Sequence, residues 1–154
     1  VKVNALTDPA LIGALVDASR AGARIDLIVR GACMLAPGVP GQSDHIRVRS
    51  IVDRFLEHPR IFYFENACQP EVLLGSADWM PRNFFRRIEV CFPVLDLKLK
   101  RRVIREGLRP YITDNCQAWE MDGVGQYRRK MPRGPRGARF CAQEGLLGEL
   151  GGEA

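Results

Sequence analysis

Residues 2–30 read KVNALTDPALIGALVDASRAGARIDLIVR, and their pattern decides the fold. Residues 2–6 alternate in hydropathy like a strand. Asp8-Pro9 supplies an N-cap followed by proline at the first helical position. Leu11, Ile12, Leu15 and Val16 fall on one helical stripe, and Gly22 stands where a helix C-terminal glycine belongs. Residues 25–29 (IDLIV) are apolar and β-branched, as in a buried strand. Strand, helix and strand within roughly 30 residues make a βαβ unit, which predicts that the two strands run parallel. Arg30-Gly31 then lies past the carboxyl end of the second strand, the edge where open α/β sheets bind ligands.

Working outward, residues 36–43 (APGVPGQS) form a Pro/Gly loop and residues 46–50 (IRVRS) alternate like a short strand. Ile51, Val52, Phe55 and Leu56 have helical spacing, which predicts a short helix ending near His58, with Pro59 stopping it. Residues 60–65 (RIFYFE) are a strand, 66–70 a turn and 71–75 the returning arm of a hairpin. Residues 87–94 (RIEVCFPV) are expected as a strand with Arg87 and Glu89 on one face and Ile88, Val90 and Phe92 on the core face. Residues 95–108 carry Leu99, Val103 and Ile104 on one stripe and predict a helix. The expected fold class is α/β, with a mixed, mostly parallel sheet flanked by helices. Residues 1–123 form the folded unit. Residues 124–154 read as a Gly/Pro-rich basic tail, mobile or loosely packed, holding Arg128, Arg129, Lys130, Arg133, Arg136 and Arg139.

With 154 residues, 46% of them hydrophobic and 27% charged, the chain has the size and composition of one compact unit. It begins at Val1 within a strand-like run, so it is expected to be a piece of a longer protein. No apolar run is long enough for a membrane helix. The five cysteines show no CxxC pair, which argues against a zinc site or a disulfide framework and predicts reduced thiols in a cytosolic protein. The net charge is +5 and the basic residues are 19 Arg against 4 Lys. Guanidinium forks bind phosphate oxygens in pairs, so the balance points to an anionic partner. GC-rich codon usage would give the same arginine bias.

Two histidines are present. His45 lies in a polar loop and reads as solvated surface. His58 opens His58-Pro59-Arg60-Ile61-Phe62-Tyr63-Phe64-Glu65, an H-x-[K/R]-x4-[D/E] series, and Gly75-Ser76-Ala77-Asp78 follows. The series resembles a relaxed form of the phospholipase D superfamily motif, with Arg60 in place of Lys and Glu65 in place of Asp. An imidazole can attack phosphorus or return a proton to a leaving oxygen, and a nearby cation can stabilise phosphoryl oxygens. The plainer readings are a His58 that caps a helix, an Arg30 that serves solubility, and an exposed Arg87–Glu89 pair worth little.

Taken together, KVNALTDPALIGAL, ARIDLIVRGACMLAPGVPG, IRVRSIVDRFLEHPRIFYF and VLLGSADWMPRNFFRRIEVCFPV resemble the last catalytic domain of the bacterial polyphosphate kinase family. The resemblance covers about residues 1–140 and implies a phospholipase D-like domain. It further implies half of an active site that moves the terminal phosphate of ATP reversibly onto inorganic polyphosphate, through a phosphohistidine in a preceding domain. It assigns His58, Glu89 and Arg87 to catalysis, Arg30 and His58 to ATP phosphates, and Arg60, Ser76, Asp78, Arg82 and Asn83 to phosphate-binding or scaffold roles. No metal ligand is expected in this chain, because the family's Mg2+ contacts lie upstream. The implied partners are ATP or ADP, polyphosphate and the upstream domains, with a homo-oligomeric full-length protein and no specific nucleic acid. The implied location is the cytoplasm, with membrane association of the full-length protein as an option. The fragment alone is expected to be inactive. The competing readings are a dimeric phospholipase D-type phosphodiesterase or nuclease, and a non-catalytic polyanion-binding module working through the basic tail.

Overall fold

A computed structural model describes residues 1–132 and 137–152. Strand β1 (Lys2–Val3) leads into helix α1 (Pro9–Arg20), whose N-cap Asp8 accepts a hydrogen bond from the Leu11 amide at 2.9 Å. Gly22 ends the helix at φ +92°, a conformation that glycine adopts without strain. Strand β2 (Ile25–Val29) pairs parallel with β1, as the opening stretch predicts. Strand β3 (Ile46–Ile51) continues the parallel core beside β2. The hairpin of β4 (Ile61–Phe64) and β5 (Glu71–Gly75) joins the other side of β1.

The remaining elements differ more from expectation. Helix α2 (Pro81–Arg86) precedes the long strand expected over residues 87–94, of which only strand β6 (Cys91–Pro93) forms. Ile88 is 101% exposed, and Val90 and Phe92 are exposed too, so the apolar alternation there does not mark a core face. Helix α3 (Leu97–Arg102) starts at N-cap Asp96 and runs through a π-helical segment (Val103–Leu108) into helix α4 (Arg109–Thr113). Pro110 lacks an amide and cannot continue the α-helical ladder, and the Arg109 amide bonds five residues back to Ile104. Strands β7 (Ala118–Met121) and β8 (Tyr127–Arg129) form a second hairpin, and helix α5 (Ala142–Gly151) closes the described chain.

The strands form one open sheet in the order β6-β5-β4-β1-β2-β3-β7-β8. The sheet is mixed, but among the described residues only β1–β2 and β2–β3 are parallel. The five other strand pairings are antiparallel, and short hairpins supply two of them, β4–β5 and β7–β8. The expectation of a mostly parallel sheet holds at the centre alone. Val3, Leu27, Val29 and Phe62 pack on one face with Ile12 and Leu15 of α1. Ile28, Ile61 and Val72 pack on the other with Leu108, Tyr111 and Ala142.

Residues 52–60 form no helix. Val52 and Leu56 are 66% and 85% exposed, so the helical stripe finds no apolar surface of its own to cover. Instead, the Phe55 amide donates to Gln143 Oε1 and the Phe55 carbonyl accepts from Gln143 Nε2, each at 2.8 Å. The segment after residue 123, expected to be loose, contributes β8 to the sheet and buried Ala142 to the core. Arg133 and Arg136 lie outside the described residues.

Candidate active site

The βαβ opening and the β4–β5 hairpin bring three chain segments together around Asp78. Its Oδ1 accepts from the Asn4 amide at 2.7 Å, Asn4 Nδ2 at 3.2 Å and the Ala5 amide at 3.3 Å. Arg60 completes the cluster, with Nε 3.2 Å from Oδ1 and Nη2 3.0 Å from Oδ2. Burial pushes the Asp78 carboxyl up, but the Arg60 and Asn4 donors outweigh it and hold its pKa below the ordinary value. The backbone locks this position. The Trp79 amide donates to the Ala5 carbonyl at 3.0 Å, and the Trp79 carbonyl accepts from Thr7 and Asp8. The Trp79 indole stacks on Phe62 with ring centres 5.3 Å apart. Gly75 lets this loop approach, because a Cβ there would sit 2.9 Å from Phe62 Cε2.

Arg60 also holds His58. Its Nη2 lies 2.8 Å from His58 Nε2, and its Nη1 donates to the His58 carbonyl at 3.2 Å. Arginine has no acceptor, so Nε2 accepts in this contact and the proton of a neutral ring is assigned to Nδ1. The imidazole is exposed. Asp78, Arg60 and His58 thus form a series from a buried carboxylate to an accessible ring.

The neighbouring Glu57 anchors the same loop. It takes hydrogen bonds from Lys2, Tyr111 and, at 2.7 Å, Gln143 Nε2. Burial pushes the Glu57 carboxyl up, and those donors bring it below its ordinary value. Lys2 is buried with its ammonium 3.0 Å from the Tyr111 ring centre, and desolvation lowers its pKa to about 8.

The predicted site residues fall into two adjoining recesses. Arg30 lines a narrow cleft with Lys2, Asn4, Glu57 and Pro59, against both sequence neighbours of His58. Arg87 and Glu89 line an apolar depression of about 480 Å³ with Phe62, Trp79, Asn83 and Phe84. Asp78 stands between the recesses, since it bonds Asn4 of the first and its carbonyl accepts from Asn83 Nδ2 of the second at 2.9 Å. Ser76 donates to Glu89 and accepts from the Val90 amide at 2.9 Å. Arg60, Ser76, Asp78 and Asn83, expected among phosphate ligands, therefore already have protein partners. Among the described residues the guanidinium groups of Arg30, Arg82 and Arg87 make no hydrogen bond or ion pair, so their donors remain open. Among the described residues no hydrogen bond or ion pair joins Arg30 or Arg87 to His58. Also among the described residues, no three His, Cys, Asp or Glu side chains gather so as to hold a metal ion.

Asn4, Lys2, Glu57 and Gln143 are absent from the sequence-based candidates. Glu57 adjoins His58, which is a usable hint. Gln143 carries none, being 88 residues from the Phe55 it holds.

The polyphosphate kinase C-terminal domain 2 family model matches residues 1–143. A polyphosphate kinase of Burkholderia lata is 60% identical over 129 residues, covering 84% of this chain and 19% of that protein. One of Paraburkholderia phytofirmans is 55% identical over 149 residues, covering 97% of this chain and 21% of that protein. The crystal structure of polyphosphate kinase from Porphyromonas gingivalis matches with a TM-score of 0.91 at 41% identity, over 99% of this chain and 23% of that one. The chain spans about a fifth of the length of these relatives. The shared fold, an open sheet flanked by helices, is phospholipase D-like.

Proposed function

Because the chain belongs to the polyphosphate kinase C-terminal domain 2 family, we propose that it supplies half of an active site that transfers the terminal phosphoryl group of ATP reversibly to inorganic polyphosphate. In this reading the β–γ bridging P–O bond of ATP breaks and ADP leaves. A phosphohistidine in the rest of the longer polypeptide carries the phosphoryl group until a terminal oxygen of polyphosphate displaces it. His58, with Nε2 taken by Arg60, presents Nδ1–H to a phosphoryl oxygen. Arg30 and Arg87 offer unpaired forks to the phosphate charge. Glu89, held by Ser76, sets the charge balance beside Arg87. The magnesium that accompanies ATP would be held by residues outside this chain, and no step assigned to His58 runs through it. The full-length protein would be a cytoplasmic homo-oligomer. No helix among the described residues is long and apolar enough to cross a membrane.

One observation carries the reading: an accessible histidine held by an internally neutralised Arg60–Asp78 pair, with an arginine of open donors in each of the two recesses beside Asp78. Titration calorimetry of the purified chain with ATP and with tripolyphosphate tests it. His58→Ala, Arg30→Ala and Arg87→Ala should each weaken binding about tenfold, the scale of one charge-assisted contact, with melting temperature unchanged. Wild-type affinity in all three variants would remove the half-site.

A further inference from the structure

The apolar stripe over residues 95–108 predicts a helix, and the outer face of α3 and the π-helical segment carries an unusual charge arrangement. Lys98, Arg101, Arg102, Arg105 and Arg109 line one depression of about 570 Å³, with Ile104 as the only apolar member of its lining. Glu106 is the one acid between Leu97 and Pro110, and its carboxylate lies within 3.0 Å of both Arg102 and Arg105. The side chains of Lys98, Arg101 and Arg109 have no ion-pair or hydrogen-bond partner among the described residues. Three like-charged pairs stand at i,i+4: Lys98–Arg102, Arg101–Arg105 and Arg105–Arg109. Such pairs oppose helix formation. The π-helical segment at the middle of the stripe is itself a rare geometry that concentrates at functional sites. It is fixed from below, since Gly107 lies so close to β4 that a Cβ would come within 2.4 Å of Ile61 Cδ1.

We propose that this groove is a second polyanion site that holds the body of a long polyphosphate chain, apart from the recesses around His58. It rests on the reading that polyphosphate is the substrate. From Lys98 to Arg109 the stripe extends about 16 Å at an α-helical rise, which suits a linear array of phosphates better than one phosphate group. No aromatic side chain lines it, so it offers no stacking platform for bases and does not favour single-stranded RNA. A chain tethered there raises the local concentration of its own end at the active site, a benefit that short chains cannot receive.

The test is fluorescence anisotropy with end-labelled long-chain polyphosphate over a salt series, alongside calorimetry with ATP and tripolyphosphate. The triple variant Lys98→Gln/Arg101→Gln/Arg109→Gln should bind the long chain at least tenfold more weakly. Its log–log salt slope should flatten by about two to three, from the loss of roughly one counterion release per cation. ATP and tripolyphosphate binding should stay at wild-type levels. A control variant, Arg24→Gln/Arg47→Gln/Arg128→Gln, removes the same charge elsewhere and should lose markedly less. Unchanged long-chain affinity and slope in the first variant would overturn the groove, as would an equal loss in the control. Stronger binding of an RNA oligonucleotide than of polyphosphate at the groove would also overturn it. If Arg30→Ala leaves ATP binding intact while the groove variant still loses long chains, the half-site reading fails and the groove stands.

Discussion

Asp78 receives five donors from Asn4, Ala5 and Arg60, and through Arg60 it sets where the His58 ring sits. Asp78→Asn leaves the Arg60 guanidinium, 13% exposed, without its counter-ion. The expected cost is on the order of 3 kcal/mol, because the unpaired charge stays largely out of water. Its pH signature follows from the direction of the shift. The folded pKa lies below the ordinary 3.8, so Asp78 contributes stability above that value and loses it as pH falls through the lower folded value. Urea unfolding from neutral to strongly acidic pH should show a shallower acid loss in Asp78→Asn than in wild type. Parallel curves would mean that the carboxylate is not the linked group. The HPR series and the GSAD turn were both legible at this scale. What stayed hidden was that Arg60 and Asp78 pair with each other, since 18 residues separate them and only the register of β4 against β5 brings them together.

Among the elements, the helices with strong end signals were readable. Asp8-Pro9 fixed the start of α1, and Asp96 caps α3 through the Leu99 amide at 2.8 Å. The false helix over residues 51–58 had spacing but no end signal beyond Pro59, and its Phe55 amide bonds instead to a distant side chain. Three substitutions test how the real elements are held. Gly107→Ala should gain up to about 1 kcal/mol of helix propensity, yet lose more through overpacking against Ile61, for a net loss of about 1–2 kcal/mol. Ile61→Val in the same chain should recover part of that loss in a double-mutant cycle, and strict additivity of the two would refute the close contact. Buried Asp114 joins α4, β7 and α5. Its Oδ1 accepts from the amides of Cys116, Gln117 and Ala118, and its Oδ2 from Ala142 at 2.7 Å. In Asp114→Asn the new NH2 group must face one of these donors, so a loss of roughly 3 kcal/mol is expected. Thermal melts of the variant within a degree of wild type would contradict this role.

For the molecule as a whole, the parallel centre was the legible part because it is local: β1, α1 and β2 are consecutive and their signals overlap. The sheet margins were not. β6 and β8 are three residues each, too short for a periodicity to register; β8 pairs through a hairpin, and β6 returns to β5 only after the connection that carries α2. The change in composition after residue 123 suggested a loose tail, yet it falls inside the β7–β8 hairpin, where the two strands pair antiparallel. Arg128 and Arg129 look like tail residues in sequence and stand on a strand in space. Composition reports solvation of side chains, and these side chains are exposed whether or not their backbone is paired.

The two-way bond between Gln143 and Phe55 joins the loop that presents His58 to the first turn of α5. Neither can open without releasing the other, so the two should behave as a single cooperative unit under native conditions. The Phe55 and Ala142 amide protons should then exchange with deuterium at one common opening free energy. In Gln143→Ala the Phe55 amide should exchange early while that of Ala142, still held by Asp114, lags behind it.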